Sequence, residues 1–168
     1  MENTFTIRNA DERDVYLIQE IAHKVWPNAY GSILPDGQVE YMLELIYSPK
    51  SLKNQMNNLR HRFLILEQEK RVLGFAAYSA LEPGLFKLQK LYVLTEIQGK
   101  GAGKFLLDEV IKNIRRESAE TLILTVNRNN NNAKKFYEKQ GFTVKREEKI
   151  DIGGGYFMDD YIMEKDIK

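Results

Sequence analysis

The sequence contains no cysteine, only two histidines and no long apolar run. The missing cysteines exclude a disulfide framework, a thiolate nucleophile and the zinc sites that are built on cysteine pairs. His23 and His61 are too few to form a metal centre by themselves, so no metal is predicted. Residues 1–14 lack the apolar core of a signal peptide or of a membrane-spanning helix, so we expect a cytoplasmic protein with no membrane partner.

The chain also lacks an excess of either charge, since 25 Lys and Arg stand against 24 Asp and Glu and the formal net charge is +1. This balance provides no general attraction for nucleic acid or for a membrane surface. A length of 168 residues is enough to bury a sizeable core and too short for two full domains. We therefore expect one domain over residues 1–168.

Apolar periodicity predicts a chain that opens with a strand and a helix and then consists mainly of strands. One or two short helices are predicted between Trp26 and Leu59, and helices are also predicted at residues 15–25, 103–117 and from 133 onward. The predicted strands are residues 4–8, 62–68, 71–81, 85–94, 121–126, 142–150 and 156–163.

A glycine-rich turn lies between a predicted strand and the long helix that begins near Gly101. The segment Gln98-Gly-Lys-Gly-Ala-Gly-Lys104 lets backbone N–H groups approach a ligand, and the helix N-terminus adds positive potential. The spacing fits neither a P-loop nor a dinucleotide-binding fingerprint. The segment therefore predicts an anion site, unless its glycines only form a tight turn.

Two motifs resemble those of the GNAT superfamily of acyl-CoA-dependent N-acetyltransferases. The first is Gln98-x-x-Gly101-x-Gly103, and the second is Asn130-x-x-Ala133-x-x-Phe136-Tyr137, which is followed by Gly141-Phe142. They occur in the family's order, with a helix and a strand between them. The resemblance covers residues 62–165 firmly and the first sixty residues only in the order of their elements.

The resemblance implies an α+β fold, with a curved, mostly antiparallel sheet of six to seven strands and helices on both faces. Its central strands would splay apart and hold acetyl-CoA as cosubstrate. Backbone groups of Leu91 and Val93 would pair with the pantetheine arm, and the turn would bind the pyrophosphate. The remaining expected contacts are Gln98, Gly99, Lys100, Gly101, Ala102, Gly103, Lys104, Asn130 and either Lys134 or Lys135, the lysine being assigned to an adenosine phosphate.

For catalysis, the resemblance places Tyr137 as the general acid, since a phenol with an ordinary pKa near 10 is protonated at neutral pH. The backbone N–H of Val93 is the expected donor to the thioester carbonyl. The general base stays open, because Gln89 stands where several relatives carry Glu and an amide cannot accept the proton. Candidate bases are Glu82, Asp159, Asp160, Tyr78 and His61.

The acceptor is expected to be a primary amine, namely a polyamine, another small amine, an amino acid or a peptide N-terminus. Residues that would flank it are Trp26, Tyr30, Tyr41, Tyr156, Asp159 and Asp160. A catalytically silent acetyl-CoA-binding module is the alternative, and Gln89 keeps that alternative open. An edge strand near the C-terminus could pair across a homodimer.

Overall fold

A computed structural model describes residues 4–168, which form a seven-stranded sheet with five α-helices. The strands lie in the order β1-β2-β3-β4-β5-β7-β6. The elements in chain order are β1 Thr6–Asn9, α1 Val15–Tyr30, α2 Gln38–Tyr47, α3 Pro49–Asn57, β2 Arg62–Gln68, β3 Arg71–Glu82, β4 Leu85–Val93, α4 Ala102–Arg115, β5 Thr121–Asn127, α5 Asn131–Lys139, β6 Thr143–Gly153 and β7 Tyr156–Asp166.

All neighbouring strands are antiparallel except the central pair of β4 and β5, which is parallel and very short. Only Leu85–Lys87 pair with Thr121–Ile123, although β4 continues to Val93 and β5 to Asn127. The two strands therefore diverge beyond Lys87 and leave a wedge in the middle of the sheet. This confirms the predicted α+β fold and its central splay.

Helices cover both faces of the sheet. On one face, Trp26 of α1 packs against Tyr92, and Tyr47 of α2 packs edge-on against Phe75. On the other face, Asn113 of α4 donates a hydrogen bond to the hydroxyl of Tyr78, which stands three residues along β3 from Phe75. Side chains alternate along a strand, so these contacts lie on opposite faces.

Helix α1 is longer than predicted. The apolar pattern ends at Val25, whereas the helix continues to Tyr30 with Pro27 inside it. Proline removes one backbone donor, but the following turn still closes through the N–H of Gly31, which donates to the carbonyl of Pro27 at 2.9 Å. Tyr30 is carried to the wedge by this extra turn.

The C-terminal hairpin is also longer than predicted, because β6 extends to Gly153 and β7 to Asp166. Its outer strand, β6, is an edge of the sheet, and Val144 and Ile150 are exposed there.

Within residues 4–168, no helix combines the length and the apolar character that a membrane span requires.

Lys90 is an unusual member of the buried face of β4. Its side chain is 8% exposed and lies near the rings of Tyr47 and Phe63, and its Nζ donates a 2.6 Å hydrogen bond to Oε1 of Gln55. No carboxylate among residues 4–168 pairs with it. Burial, and then the nearby charge of Lys87, lower the pKa of Lys90 to about 7.

This lowered pKa predicts a pH-dependent stability. An unfolded lysine titrates near about 10.4, so between pH 7 and pH 10 the unfolded chain binds the extra proton and the free energy of unfolding rises with pH. We expect Lys90→Met to remove about 2–4 kcal/mol of that rise. Urea unfolding at pH 7, 8, 9 and 10 would measure it, with the exposed Lys139→Met as control. An unchanged slope in Lys90→Met would contradict this assignment.

Candidate active site

The wedge between β4 and β5 forms a cleft of about 650 Å³. Its walls are the second half of β4, the glycine-rich turn and the start of α4, the end of β5, and the inner face of α5, with Tyr30 of α1 beside them. The two sequence motifs, about thirty residues apart, therefore meet at one cleft. An elongated ligand with an anionic portion fits such a shape, since one end of the cleft is a helix N-terminus.

The β4 wall contains Leu91 and Val93, as predicted. β4 pairs with β3 on one side, and on the other side it has no strand partner beyond Lys87 among residues 4–168. Its backbone amides on the open side are therefore available to an extended ligand, in the manner of an added strand. Gln98 also lines the cleft, and its Nε2 donates to the carbonyl of Val93 at 3.4 Å.

The turn before α4 forms the end of the cleft that was predicted to be the anion site. Gly101 is the N-cap residue in the left-handed region at φ +82°, and the first helical hydrogen bond runs from the N–H of Phe105 to its carbonyl. The preceding N–H groups of the first turn have no partner within the helix. Gly99, Gly101, Gly103 and Lys104 line the cleft, whereas Lys100 is exposed and Ala102 is buried outside the lining.

This turn fits a pyrophosphate on its own geometry. A Cβ built on Gly99 or Gly101 would meet no atom within 4 Å, so each glycine opens onto free space. The backbone can thus approach a phosphate without a side chain in the way. Lys104 is the nearest lysine in the lining, and its Nζ forms a 2.6 Å ion pair with the exposed Asp108.

Helix α5 presents the second motif to the cleft. The Oδ1 of Asn130 caps this helix by accepting from the N–H of Ala133 at 3.2 Å, which leaves the Nδ2 group as the part that a ligand would meet. Lys134 lies over the ring of Tyr161, and Lys135 is exposed. Neither lysine lines the cleft, so neither has a placement that distinguishes it as a phosphate ligand.

Tyr137 faces the cleft from the inner side of α5. It is 8% exposed, its ring packs edge-on against Phe136 and Phe142, and its hydroxyl has no hydrogen-bond partner among residues 4–168. Burial is the main cause that raises the pKa of Tyr137 well above its ordinary value, and the nearby Tyr30 raises it further. The phenol is therefore fully protonated at neutral pH and free to donate.

Gln89 lies at a β-bulge in β4. Ala77 pairs with Lys90 and Tyr78 with Leu88, so Gln89 has no residue opposite it on β3. It lines the cleft, and its Nε2 donates a 3.1 Å hydrogen bond to Oγ of Ser79. The amide is thus a structural donor at the position where a base was expected.

The other candidate bases differ sharply in their surroundings. Glu82 is exposed at the end of β3, and Asp159 forms a 3.2 Å ion pair with Arg128. Tyr78 and His61 line a separate groove, and burial lowers the pKa of His61 to about 4. Asp160 alone of the five is a buried carboxylate, with 6% of its surface exposed.

The aromatic candidates for acceptor binding fall into two groups. Trp26 is 4% exposed and belongs to the core, whereas Tyr30 lines the cleft and shares a 2.9 Å hydrogen bond with the hydroxyl of Tyr92. Tyr41 and Tyr156 stack near the hairpin turn at a centroid distance of 5.1 Å. Only Tyr30 reaches the cleft itself.

Several polar residues that line the cleft were missed in the sequence. They are Asn28, Thr95, Thr125, Asn132 and Gln140. Thr125 had a usable signal, because it is a polar residue in a strand that ends beside the second motif. Of the others, Asn28 lies on α1, Thr95 in a short 3-10 turn, and Asn132 and Gln140 at the two ends of α5, and only their tertiary position distinguishes them from surface residues.

Comparison with known proteins agrees with this geometry. Residues 33–156 match the family model described as an acetyltransferase (GNAT) domain. The chain is 29% identical to the spermidine N(1)-acetyltransferase of Thermoplasma acidophilum over 95% of each chain. It is 32% identical to the [ribosomal protein bS18]-alanine N-acetyltransferase of Haemophilus influenzae over 71% of this chain and 77% of that one.

A similar solved structure is that of the PaiA N-acetyltransferase of Thermoplasma acidophilum in complex with coenzyme A. It superposes with a TM-score of 0.82 at 28% identity, and the match covers 97% of this chain and 99% of that chain. Together with this family model and these relatives, the sheet split at its centre beside a helix N-terminus is that of an acyl-CoA-dependent acyltransferase. The chain belongs to the GNAT acetyltransferase family, and it is an acetyltransferase that uses acetyl-CoA.

Proposed function

We propose that the protein transfers the acetyl group of acetyl-CoA directly to a primary amine, and that the wedge between β4 and β5 is where the transfer takes place. The observation that carries this proposal is the convergence of three features on one cleft. They are the open backbone edge of β4, the free N–H groups before α4 and the unpartnered phenol of Tyr137.

Acetyl-CoA supplies an activated thioester, and residues of this chain bind and orient it. Leu91 and Val93 offer backbone amides to the pantetheine arm, and Asn130 offers its amide group from the opposite wall. The N–H groups of residues 99–104 hold the pyrophosphate. The backbone N–H of Val93 donates to the acyl oxygen, which stabilises the charge that develops there.

Tyr137 provides the proton for the leaving sulfur. The amine nitrogen forms a bond to the acyl carbon while the carbon–sulfur bond breaks, and the phenol proton moves to the sulfur. The nitrogen releases one proton as the amide forms, and solvent returns a proton to the phenol. The raised pKa of Tyr137 keeps that proton in place at neutral pH. Burial also raises the proton affinity of a thiolate in the same cleft, which favours the transfer.

The acceptor in this proposal is a primary amine, and the names of two relatives support two kinds of acceptor. The Thermoplasma relative is named for spermidine, and the Haemophilus relative for an alanine of ribosomal protein bS18. The first of these matches the chain over nearly its whole length. A polyamine or a similar small amine is therefore the acceptor that we favour.

The release of CoA thiol from acetyl-CoA tests this function. We expect release to depend on an added amine and to be fastest with diamines and polyamines across a panel that also contains amino acids and short peptides. The alternative is a silent acetyl-CoA-binding module, which the non-basic Gln89 favours. That module would bind acetyl-CoA and release no thiol with any amine in the panel.

A homodimer is a further part of the proposal. The edge strand β6 carries the exposed Val144 and Ile150, and an unpaired strand edge is a common place for two copies to meet. Sedimentation of the wild type and of Val144→Lys would test it. We expect the variant to sediment as a monomer, and an unchanged dimer would place the interface elsewhere.

A further inference from the structure

Asp160 is a buried carboxylate without a partner. It lies on β7, where it pairs across the sheet with Asn127 of β5 and with Glu148 of β6. It is 6% exposed, and its side chain has no hydrogen bond or ion pair with any residue from 4 to 168. Its oxygens are not among the fully buried side-chain atoms that lack a partner, so they keep some contact with solvent and an incoming donor can reach them.

The side chain of Asp160 lies on the face of the sheet that carries α1. Its neighbour Tyr161 faces α5, where Lys134 lies over its ring, so Asp160 points to the face that carries α1. Asp160 does not line the 650 Å³ cleft, whereas Tyr30 does. The two residues are close enough for the charge of Asp160 to raise the pKa of Tyr30. Tyr30 is also close enough to Tyr137 to raise its pKa, so the carboxylate and the candidate acid both lie near the same phenol at the wedge.

The charges around Asp160 come from three elements. Asp159 on its own strand and Glu148 on β6 are acidic, Lys87 on β4 is basic, and Tyr30 on α1 is neutral. Burial, and then the charge of Asp159, raise the pKa of Asp160 to about 6, against the opposing effect of Lys87. The group is thus ionised at pH 7 and can still be protonated near neutrality.

We propose that Asp160 binds the ammonium group of the acceptor and takes one of its protons, and that the acceptor is accordingly a cationic alkylamine. This rests on the proposed function. The ammonium gives one proton to the carboxylate and arrives at the acyl carbon as a neutral amine. After transfer, the amide nitrogen keeps one of the three ammonium protons, Asp160 carries the second, and the nitrogen has lost the third. The sulfur carries the proton of Tyr137. Through solvent, one of the two protons lost by the amine restores the phenol, and the other is released as Asp160 ionises again.

The proposal distinguishes two kinds of acceptor. An alkylammonium has a pKa near about 10.4, so almost none of it is neutral at pH 7, whereas an α-amino group has a pKa of about 7.7–8.0 and is partly neutral. A base is therefore needed much more by the first than by the second. Loss of Asp160 should reverse the preference that we expect for alkylamines.

The test compares wild type with Asp160→Asn, using 1,4-diaminobutane and alaninamide as acceptors. At pH 7 we expect kcat/KM of the variant to fall about 10–100-fold with diaminobutane and less than about fivefold with alaninamide. The loss with diaminobutane should shrink toward pH 10 as the free amine becomes neutral. The kcat/KM of the wild type should fall as the pH drops below about 6, because Asp160 becomes protonated there. The pH profile of Asp160→Asn should lack this acidic decline.

Two controls separate the possible failures. Asp166→Asn removes an exposed carboxylate from the same strand and should change neither acceptor. Acetyl-CoA affinity should be unchanged in Asp160→Asn. Equal losses with both acceptors, or no recovery at high pH, would overturn the role of Asp160 while the acetyltransferase function stands; a wild type that acetylates no amine at all would instead refute the proposed function.

Discussion

Replacing Tyr137 with phenylalanine is expected to lower kcat by about 10²–10³-fold while acetyl-CoA affinity stays within about twofold. The substitution removes only the hydroxyl and keeps the ring between Phe136 and Phe142. The hydroxyl has no partner among residues 4–168, so its loss leaves no other group unsatisfied. The effect should therefore fall on the chemical step, where the leaving sulfur needs a proton.

The measurement is single-turnover acetyl transfer together with calorimetry of acetyl-CoA binding. Tyr47→Phe is a matched control, because it also removes a buried phenol hydroxyl but lies outside the cleft. We expect that control to keep its kcat. If Tyr137→Phe turned over at the wild-type rate, Tyr137 would be a packing residue and the proton for the sulfur would come from solvent.

The sequence predicted the elements around the cofactor cleft well, because their signals are local. The glycines of residues 99–103 predict a turn before a helix, and α4 begins at Ala102. The predicted end of that helix, Glu117, lies two residues past the observed end at Arg115, since the last residue of its apolar stripe is Ile114 and the polar residues after it mark no sharp boundary. Such differences of one turn or less do not move the site.

The wedge itself could be predicted only from the family resemblance. It exists because Leu85–Lys87 pair with Thr121–Ile123 and the strands then part, and no local pattern encodes a pairing between segments over thirty residues apart. The bulge at Gln89 was missed for the same reason. A register shift depends on which residues of the partner strand are paired. The sequence therefore could not show that Gln89, which stands where several relatives carry Glu, lies at a bulge.

Asp159 and Asp160 show most clearly what a sequence leaves open. They are adjacent acids in a predicted strand, and either was an equal candidate. Strand alternation sends them to opposite faces, where Asp159 meets Arg128 and Asp160 is buried without a partner. Which of the two faces the acceptor side is a property of the register between β5 and β7, in which Asp160 lies opposite Asn127.

Placing an aspartate at Gly101 is expected to weaken acetyl-CoA binding by at least about 100-fold. The side chain would extend from a backbone at φ +82° into the space that opens before α4, and its charge would oppose a pyrophosphate there. Loss of the close backbone approach and added repulsion act together. Calorimetric titration with acetyl-CoA would measure the change, with ATP as a comparison ligand that should bind weakly to both proteins.

Gly155 provides a matched control for this substitution. It lies in the turn between β6 and β7 at φ +81°, and a Cβ there also meets no atom within 4 Å. Aspartate tolerates the left-handed region better than most residues, so both variants bear a similar small backbone cost. Gly155→Asp should keep its acetyl-CoA affinity, because its turn is not part of the cleft. Equal weakening in both variants would mean that backbone strain, and not a lost anion site, explains the result at Gly101.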